Sequence, residues 1–431
     1  MKIGVIQFPG TNCERETMEA IRRAGMEPVA HRWNMASGRL ETYDGFVIAG
    51  GFSYEDRSRS GVIAAQDPIM YAMKRESEKG KPILGICNGA QILLESGLVP
   101  GIEGYRQGAA LTTNKRVNHG EILGTGFYNA WIIISFDGAP EGCAFTSALE
   151  DGESMRIPAA HAEGRFLIPD KLLSEMIKNK MTPFRYTDGQ GNPIEDFPVN
   201  PNGSVYNIAG ICNTSGNVMA LMPHPERVPA GDKIFLSMRH YIERSRTEKP
   251  FMQHTFPLEY CTPQTEQASY QLPDEAEQMV IDMIITDNEA VSVENALRLR
   301  DIAVSVKRNT HWEILFDETA DTKQRANVYD KIVQSGELFN SNKEFIAQNP
   351  ANTRSRSYLV REREDCIGDH VFHALSSWFS IPHISSIRHG IIWTITPDDQ
   401  TQGETIFELV EKTHLLGNPI AHRSMIYDIR T

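Results

Sequence analysis

The chain has 431 residues, 40% of them hydrophobic, enough for two or three domains with full cores. Its 43 Lys and Arg against 56 Asp and Glu give a net charge of −13, mostly beyond Phe251, which speaks against nucleic acid as a partner. No apolar run reaches the roughly 18 residues that span a bilayer, and six scattered cysteines without a CxxC suit a reducing compartment, so a cytoplasmic, membrane-free protein is expected.

Met1 leads into an apolar strand, Lys2–Gln7, with no signal-peptide pattern. The turn Phe8-Pro9-Gly10-Thr11-Asn12 and a helix over Cys13–Ala24 follow. Strands are predicted at Pro28–Trp33, Gly45–Ala49 and Pro82–Ile86, with helices at Val62–Lys79 and Asn88–Ser96. Repeated β-α-β units of this kind imply a parallel sheet covered by helices on both faces. Further strands are expected at Trp131–Ser135, Arg165–Ile168 and Val218–Met222, so residues 1–245 read as one α/β domain. Residues 246–275, rich in Pro, Gln and Thr, read as a linker.

After it a weak repeat of about 80 residues divides the rest into 276–350 and 351–431. The first copy reads strand Met279–Ile285, helix Val293–Leu299, strands Ile302–Lys307 and Trp312–Phe316, helix Thr322–Gln334 and a strand near Lys343–Ile346. The second reads strand Ser357–Arg361, helix Asp369–Phe379, strands Ile384–Arg388 and Ile391–Ile395, helix Gly403–Leu415 and strand Ser424–Ile429. The shared order β-α-β-β-α-β defines an α+β tandem repeat; the competing reading is one α+β domain with accidental symmetry.

The chemistry concentrates in three places. In Gly85-Ile86-Cys87-Asn88-Gly89-Ala90-Gln91 an apolar strand meets G-x-C-x-G and then a helix, a nucleophile elbow with Cys as its nucleophile. Small neighbours allow the strained turn, and the helix N-terminus stabilises a thiolate and directs the Asn88 amide at a forming oxyanion. In Met222-Pro223-His224-Pro225-Glu226-Arg227, His224 and Glu226 stand two apart in an extended segment and project the same way, as a base and its orienting carboxylate do. Gly50-Gly51, at a strand end, lets backbone amides approach a ligand and offers a second oxyanion donor.

These segments resemble the class I (triad) glutamine amidotransferases. With Gly50-Gly51-Phe52-Ser53-Tyr54, Ala160-His161-Ala162-Glu163-Gly164-Arg165-Phe166 and Asn200-Pro201-Asn202-Gly203-Ser204 they are similar to one family in particular, the glutaminase subunit of phosphoribosylformylglycinamidine synthase. The resemblance implies a flavodoxin-like α/β domain. It makes Cys87 the nucleophile, His224 the base and acid, Glu226 its orienter, and Gly51 and Asn88 the oxyanion donors. It puts Gly50, Phe52, Gln91, Asn202 and Ser204 around the glutamine substrate. Ala130 stands where the family usually has a basic residue, and Ala162 where it commonly has Gly.

The C-terminal repeats look like the small accessory subunit of the same synthase, on phrases such as Glu411-Lys412-Thr413-His414-Leu415-Leu416-Gly417-Asn418-Pro419-Ile420. No P-loop or Gly-rich ATP clamp is visible. The resemblance therefore implies no cofactor on this chain, with ATP and Mg²⁺ on a separate large synthetase subunit. Two other readings compete: a stand-alone Cys-dependent amidohydrolase of a related fold, and a catalytically silent scaffold. The second would be expected to have lost Cys87, His224 or Glu226.

Overall fold

Four short strands, Lys2–Gln7, Gly45–Ile48, Ile83–Ile86 and Val218–Leu221, lie side by side and parallel at the centre of a nine-stranded sheet. Glu27–Arg32 extends it on the Lys2–Gln7 side, also parallel. On the other side the antiparallel strands Ile208–Cys212, Phe184–Tyr186, Tyr128–Phe136 and Ser154–His161 complete the order. The central strands are short and apolar because both their faces are buried, as for Ile83–Ile86. Parallel strands share one carboxyl edge, so the segments that follow these four necessarily gather there.

The structure, a computed structural model, describes residues 1–247, Leu258, Tyr260, 268–347 and 354–428. It divides into two compact units, Met1–Pro263 and Gln264–Thr431. The last helix of the first unit runs from Asp232 to Thr247. Most of the segment read as a linker, 246–275, lies outside the described residues, but Ser269 pairs with Ile426 and Tyr270 is buried, so its end belongs to the second unit's sheet. The single helix expected over Val62–Lys79 is two, Val62–Ala65 and Pro68–Glu78. Pro68 cannot continue the first, and the Asp67 carboxylate caps the second by accepting from the Ile69 amide at 3.0 Å.

In the second unit six strands form an antiparallel sheet in the order Glu344–Ile346, Ala276–Met283, Val304–Phe316, Ile384–Pro397, Arg356–Glu362, His422–Ile426. The two pairs of strands expected at Ile302–Lys307 with Trp312–Phe316, and at Ile384–Arg388 with Ile391–Ile395, are instead two long continuous strands. Asn309 and Gly390 fall in the gaps between those expected strands. Asn309 stays in the ladder with its side chain donating to the Ile281 carbonyl, and Gly390 is where the Leu359 and Arg361 side chains approach too closely for a Cβ.

The repeat is visible in the register. The pair Ala276–Leu315 recurs as Arg356–Ile395 and Val280–His311 as Val360–Ile391, both members advanced by 80 residues (276 to 356, 315 to 395). Across the centre Thr310 pairs with Ile391 and His311 with Gly390, two pairs that exchange under the same shift. The pairing pattern of the two halves therefore recurs at this spacing within one six-stranded sheet. Helices Thr322–Ser335 and Cys366–His373 cover one face over a core of Ile314, Ile332, Val371, Leu375 and Ile387. The other face carries Tyr270, Val280, Leu359, Ile392 and Tyr427.

Candidate active site

Cys87 stands between the strand Ile83–Ile86 and the helix Asn88–Glu95, at φ +52° and ψ −109°, a conformation L residues rarely adopt. Its neighbours explain the two glycines. A Cβ on Gly89 would lie 2.1 Å from the Ile48 carbonyl oxygen, and one on Gly85 would lie 2.5 Å from the Gly89 oxygen. The elbow is pinned by the Cys87 amide donating to Leu221 O at 2.9 Å, while the thiol lies 3.8 Å from Ala160 O.

His224 and Glu226 leave the end of the strand Val218–Leu221 and are both fully buried. Nδ1 of His224 and Oε1 of Glu226 are 2.7 Å apart, and Cys13 and Cys87 both lie beside the imidazole above Gly50. Burial by itself disfavours the imidazolium. The Glu226 carboxylate and the Cys87 sulfur outweigh it and hold His224 well above its ordinary range. Nucleophile, imidazole and carboxylate are thus brought together as the spacing predicts.

Gly51, at φ +148°, sits so close to Gly10 and Asn12 that no side chain fits. The amides of Gly51 and Asn88 donate to no protein acceptor among the described residues, whereas the two that follow Gly51 are engaged: Phe52 donates to Gly10 O at 2.9 Å and Ser53 to Asn88 Oδ1 at 3.0 Å. The turn after the first strand, unassigned in the sequence reading, is therefore a brace. Asn12 and Cys13 donate to Gly50 O, and Tyr54 donates to Pro9 O at 2.7 Å. Only the sheet order reveals this, because it sets Lys2–Gln7 beside Gly45–Ile48.

The residues expected around glutamine divide into two groups. Gly50 touches the reacting groups, and Phe52 presents an exposed ring. Gln91, Asn202 and Ser204 are buried and spend their polar atoms on the protein. Gln91 accepts from Asn88 Nδ2 (2.8 Å) and donates to Glu163 O (2.6 Å); Asn202 donates to Gly164 O (2.7 Å); Ser204 Oγ accepts from the Phe166 amide (3.0 Å). Together they fix the segment from His161 to Phe166 against the elbow. Ala162 contributes a carbonyl that accepts from the Asn114 amide. Ala130 pairs with Ala159 in the outer strands.

Two acids missed by the sequence reading lie behind Asn88. Asp56 Oδ1 accepts from Asn88 Nδ2 at 3.1 Å, and burial with the nearby Glu163 carboxylate raises Asp56 to about 7. Burial also raises Glu163, and it lowers His161 to about 3 with help from His224, so His161 stays neutral. The one warning in the sequence was Asp56 following Ser53-Tyr54-Glu55 directly after the glycines. Cys13 is a further unexpected neighbour: a Cβ on Gly50 would lie 3.2 Å from His224 Cε1, 3.3 Å from Cys13 Sγ and 3.4 Å from Cys87 Cβ.

Residues 1–233 match the family model for the CobB/CobQ-like glutamine amidotransferase domain. Among curated proteins, the phosphoribosylformylglycinamidine synthase subunit PurQ of Methanothrix thermoacetophila is 47% identical over 264 residues, covering 57% of this chain and all of that protein. PurQ of Pyrococcus furiosus is 44% identical over 250 residues, covering 56% of this chain and 99% of that protein. Among solved structures, that of PurLQS from Thermotoga maritima is 33% identical with a TM-score of 0.45, covering 56% of this chain and 98% of the matched one. With over half its length matched by the family model and the full length of these PurQ subunits matched in turn, the chain belongs to the CobB/CobQ-like glutamine amidotransferases, in their PurQ branch.

Proposed function

We propose that this chain is the glutaminase component of phosphoribosylformylglycinamidine synthase in purine biosynthesis, releasing ammonia from glutamine at Cys87 for a separate ATP-dependent synthetase subunit. The observation that carries the chemistry is the elbow Cys87 beside the buried His224–Glu226 pair at 2.7 Å. Family membership supplies the substrate, and the relatives' own description as subunits of a synthase supplies the partner.

In this reading Cys87 Sγ attacks the carboxamide carbon of glutamine while His224 takes the thiol proton. The amides of Gly51 and Asn88 receive the oxyanion, and the pre-set braces from Gly10, Asn12 and Asn88 spare any reorganisation in the transition state. His224 returns the proton to the departing nitrogen, so ammonia leaves and a γ-glutamyl thioester remains. Water, deprotonated by the same imidazole, then releases glutamate. Gly50 and Phe52 line the substrate's path; Gln91, Asn202 and Ser204 act by holding the walls. ATP and Mg²⁺ are assigned to the partner. The second unit, with its pair of repeats, is assigned the bridging role of the accessory subunit, two copies on one chain replacing an association step.

The test is synthesis by the complex with glutamine or ammonia as nitrogen source. Cys87→Ala should lose glutamine-dependent synthesis and keep the ammonia-dependent reaction. Loss of both, or of neither, contradicts the reading.

A further inference from the structure

Cys13 has no part in the acyl transfer just described, yet its buried sulfur is placed among the groups that perform it. Its Sγ, a ring nitrogen of His224 and a carboxylate oxygen of Glu226 all lie within 4.8 Å of one another. All three residues are buried. The second carboxylate oxygen, Glu226 Oε2, is buried without a hydrogen-bond partner. Such an oxygen is expensive to leave unsatisfied, and it adds a donor to the same small space.

We propose that Cys13, His224 and Glu226 form a binding site for a soft divalent cation of the Zn²⁺ class, and that its occupation switches the glutaminase off. Thiolate, imidazole and carboxylate are the three protein ligand types that Zn²⁺ takes, with bonds of about 2.0–2.3 Å, which spread neighbouring donors of a tetrahedral site to roughly 3.3–3.7 Å. Contracting the observed cluster to that spread needs side-chain movements of about an ångström. Cys87, whose Cβ faces the same point above Gly50, or a water completes the shell.

Binding is a coordination step without redox change: the Cys13 thiol and the His224 imidazolium each lose a proton to solvent as the metal–sulfur and metal–nitrogen bonds form, and the net charge of the site is unchanged. Arg227 now donates to that sulfur at 3.2 Å, and its partly exposed side chain can turn outward when the cation arrives. The inhibition follows from the imidazole having two jobs. If the cation takes Nδ1, the 2.7 Å bond to Glu226 is lost; if it takes Nε2, the lone pair that accepts the Cys87 proton is lost. Either way His224 no longer serves as base. This consequence rests on the triad reading above, but the binding does not.

The probe is Cd²⁺ added to the full-length chain, read by the ultraviolet thiolate-to-metal charge-transfer band and by equilibrium dialysis. The expected result is one tightly held Cd²⁺ per chain, retained by Cys87→Ala, and weakened at least about 10-fold by Cys13→Ser and by Cys13→Ala, as loss of a ligand should do. Zn²⁺ should inhibit glutamine hydrolysis by the wild type reversibly on chelation, and each Cys13 variant much less relative to its own metal-free rate. Unchanged Cd²⁺ affinity in the Cys13 variants, or loss of the site in Cys87→Ala alone, overturns the proposal. Because the band is read without turnover, a chain inactive on glutamine that still binds Cd²⁺ through Cys13 would sink the functional reading and leave the site standing.

Discussion

At Cys87 the backbone carries a left-handed strain that the two flanking glycines make possible. Gly89 has the least room, since a Cβ there meets the Ile48 carbonyl oxygen of the neighbouring strand. Gly89→Ala is expected to cost about 1–3 kcal/mol or more by overpacking and to misplace the thiol. Thermal unfolding and glutaminase rate should fall together; a full rate with wild-type stability would show that the elbow tolerates the methyl. His224→Ala should lose about 10²–10⁴ in rate, the usual share of a positioned base, and Glu226→Gln less. Glu226→Gln removes the carboxylate charge that does most to raise His224, so NMR titration should find its imidazole pKa lower than in the wild type. An unmoved pKa would contradict the coupling. Asp56 supplies a stability test. Its carboxyl is raised from 3.8 to about 7 by burial and Glu163. The folded state therefore holds a proton that the unfolded chain releases, and the stability contributed below about pH 4 is lost as pH rises through 7. Asp56→Asn should gain in Tm over the wild type between pH 5 and pH 8, and an equal difference at the two values would refute the shift.

At the scale of elements, the catalytic half was legible because each signal is local. Apolar runs ending in Gly50-Gly51, Cys87 and Met222-Pro223-His224 mark strand ends, and parallel strands leave those ends on one edge. The brace from Pro9 to Cys13 and the Asp56–Asn88 contact were not legible, because they depend on which strand lies beside which. The second unit failed differently. Asn309 and Gly390 fall in gaps between expected strands, while their cross-strand contacts decide for continuous strands. Those long strands carry a buried charge. Glu313 is fully buried and receives Tyr270 at 2.6 Å, Arg361 at 3.0 Å and Arg388 at 3.1 Å. Glu313→Ala leaves Arg361 buried without its carboxylate and is expected to cost about 3–5 kcal/mol. Denaturant unfolding of the second unit's transition checks this; no change in midpoint would mean that the network is compensated by solvent.

Taken whole, the molecule joins a unit that matches the full length of PurQ subunits to a second unit built on a six-stranded antiparallel sheet. A fragment ending at Pro263 should therefore fold alone with Cys87 intact, yet lose most of the stimulation of glutamine turnover by the synthetase subunit. Equal stimulation of fragment and full chain would remove the bridging role from the repeats. The nucleophile is tested by quenching the chain during turnover of radiolabelled glutamine with the proposed synthetase subunit and locating the label by peptide mapping. An acid-stable, hydroxylamine-labile γ-glutamyl thioester is expected on the Cys87 peptide, absent from Cys87→Ala and longer-lived in His224→Ala than its slow formation would suggest. Label on another cysteine, or turnover by Cys87→Ala at the wild-type rate, would contradict it.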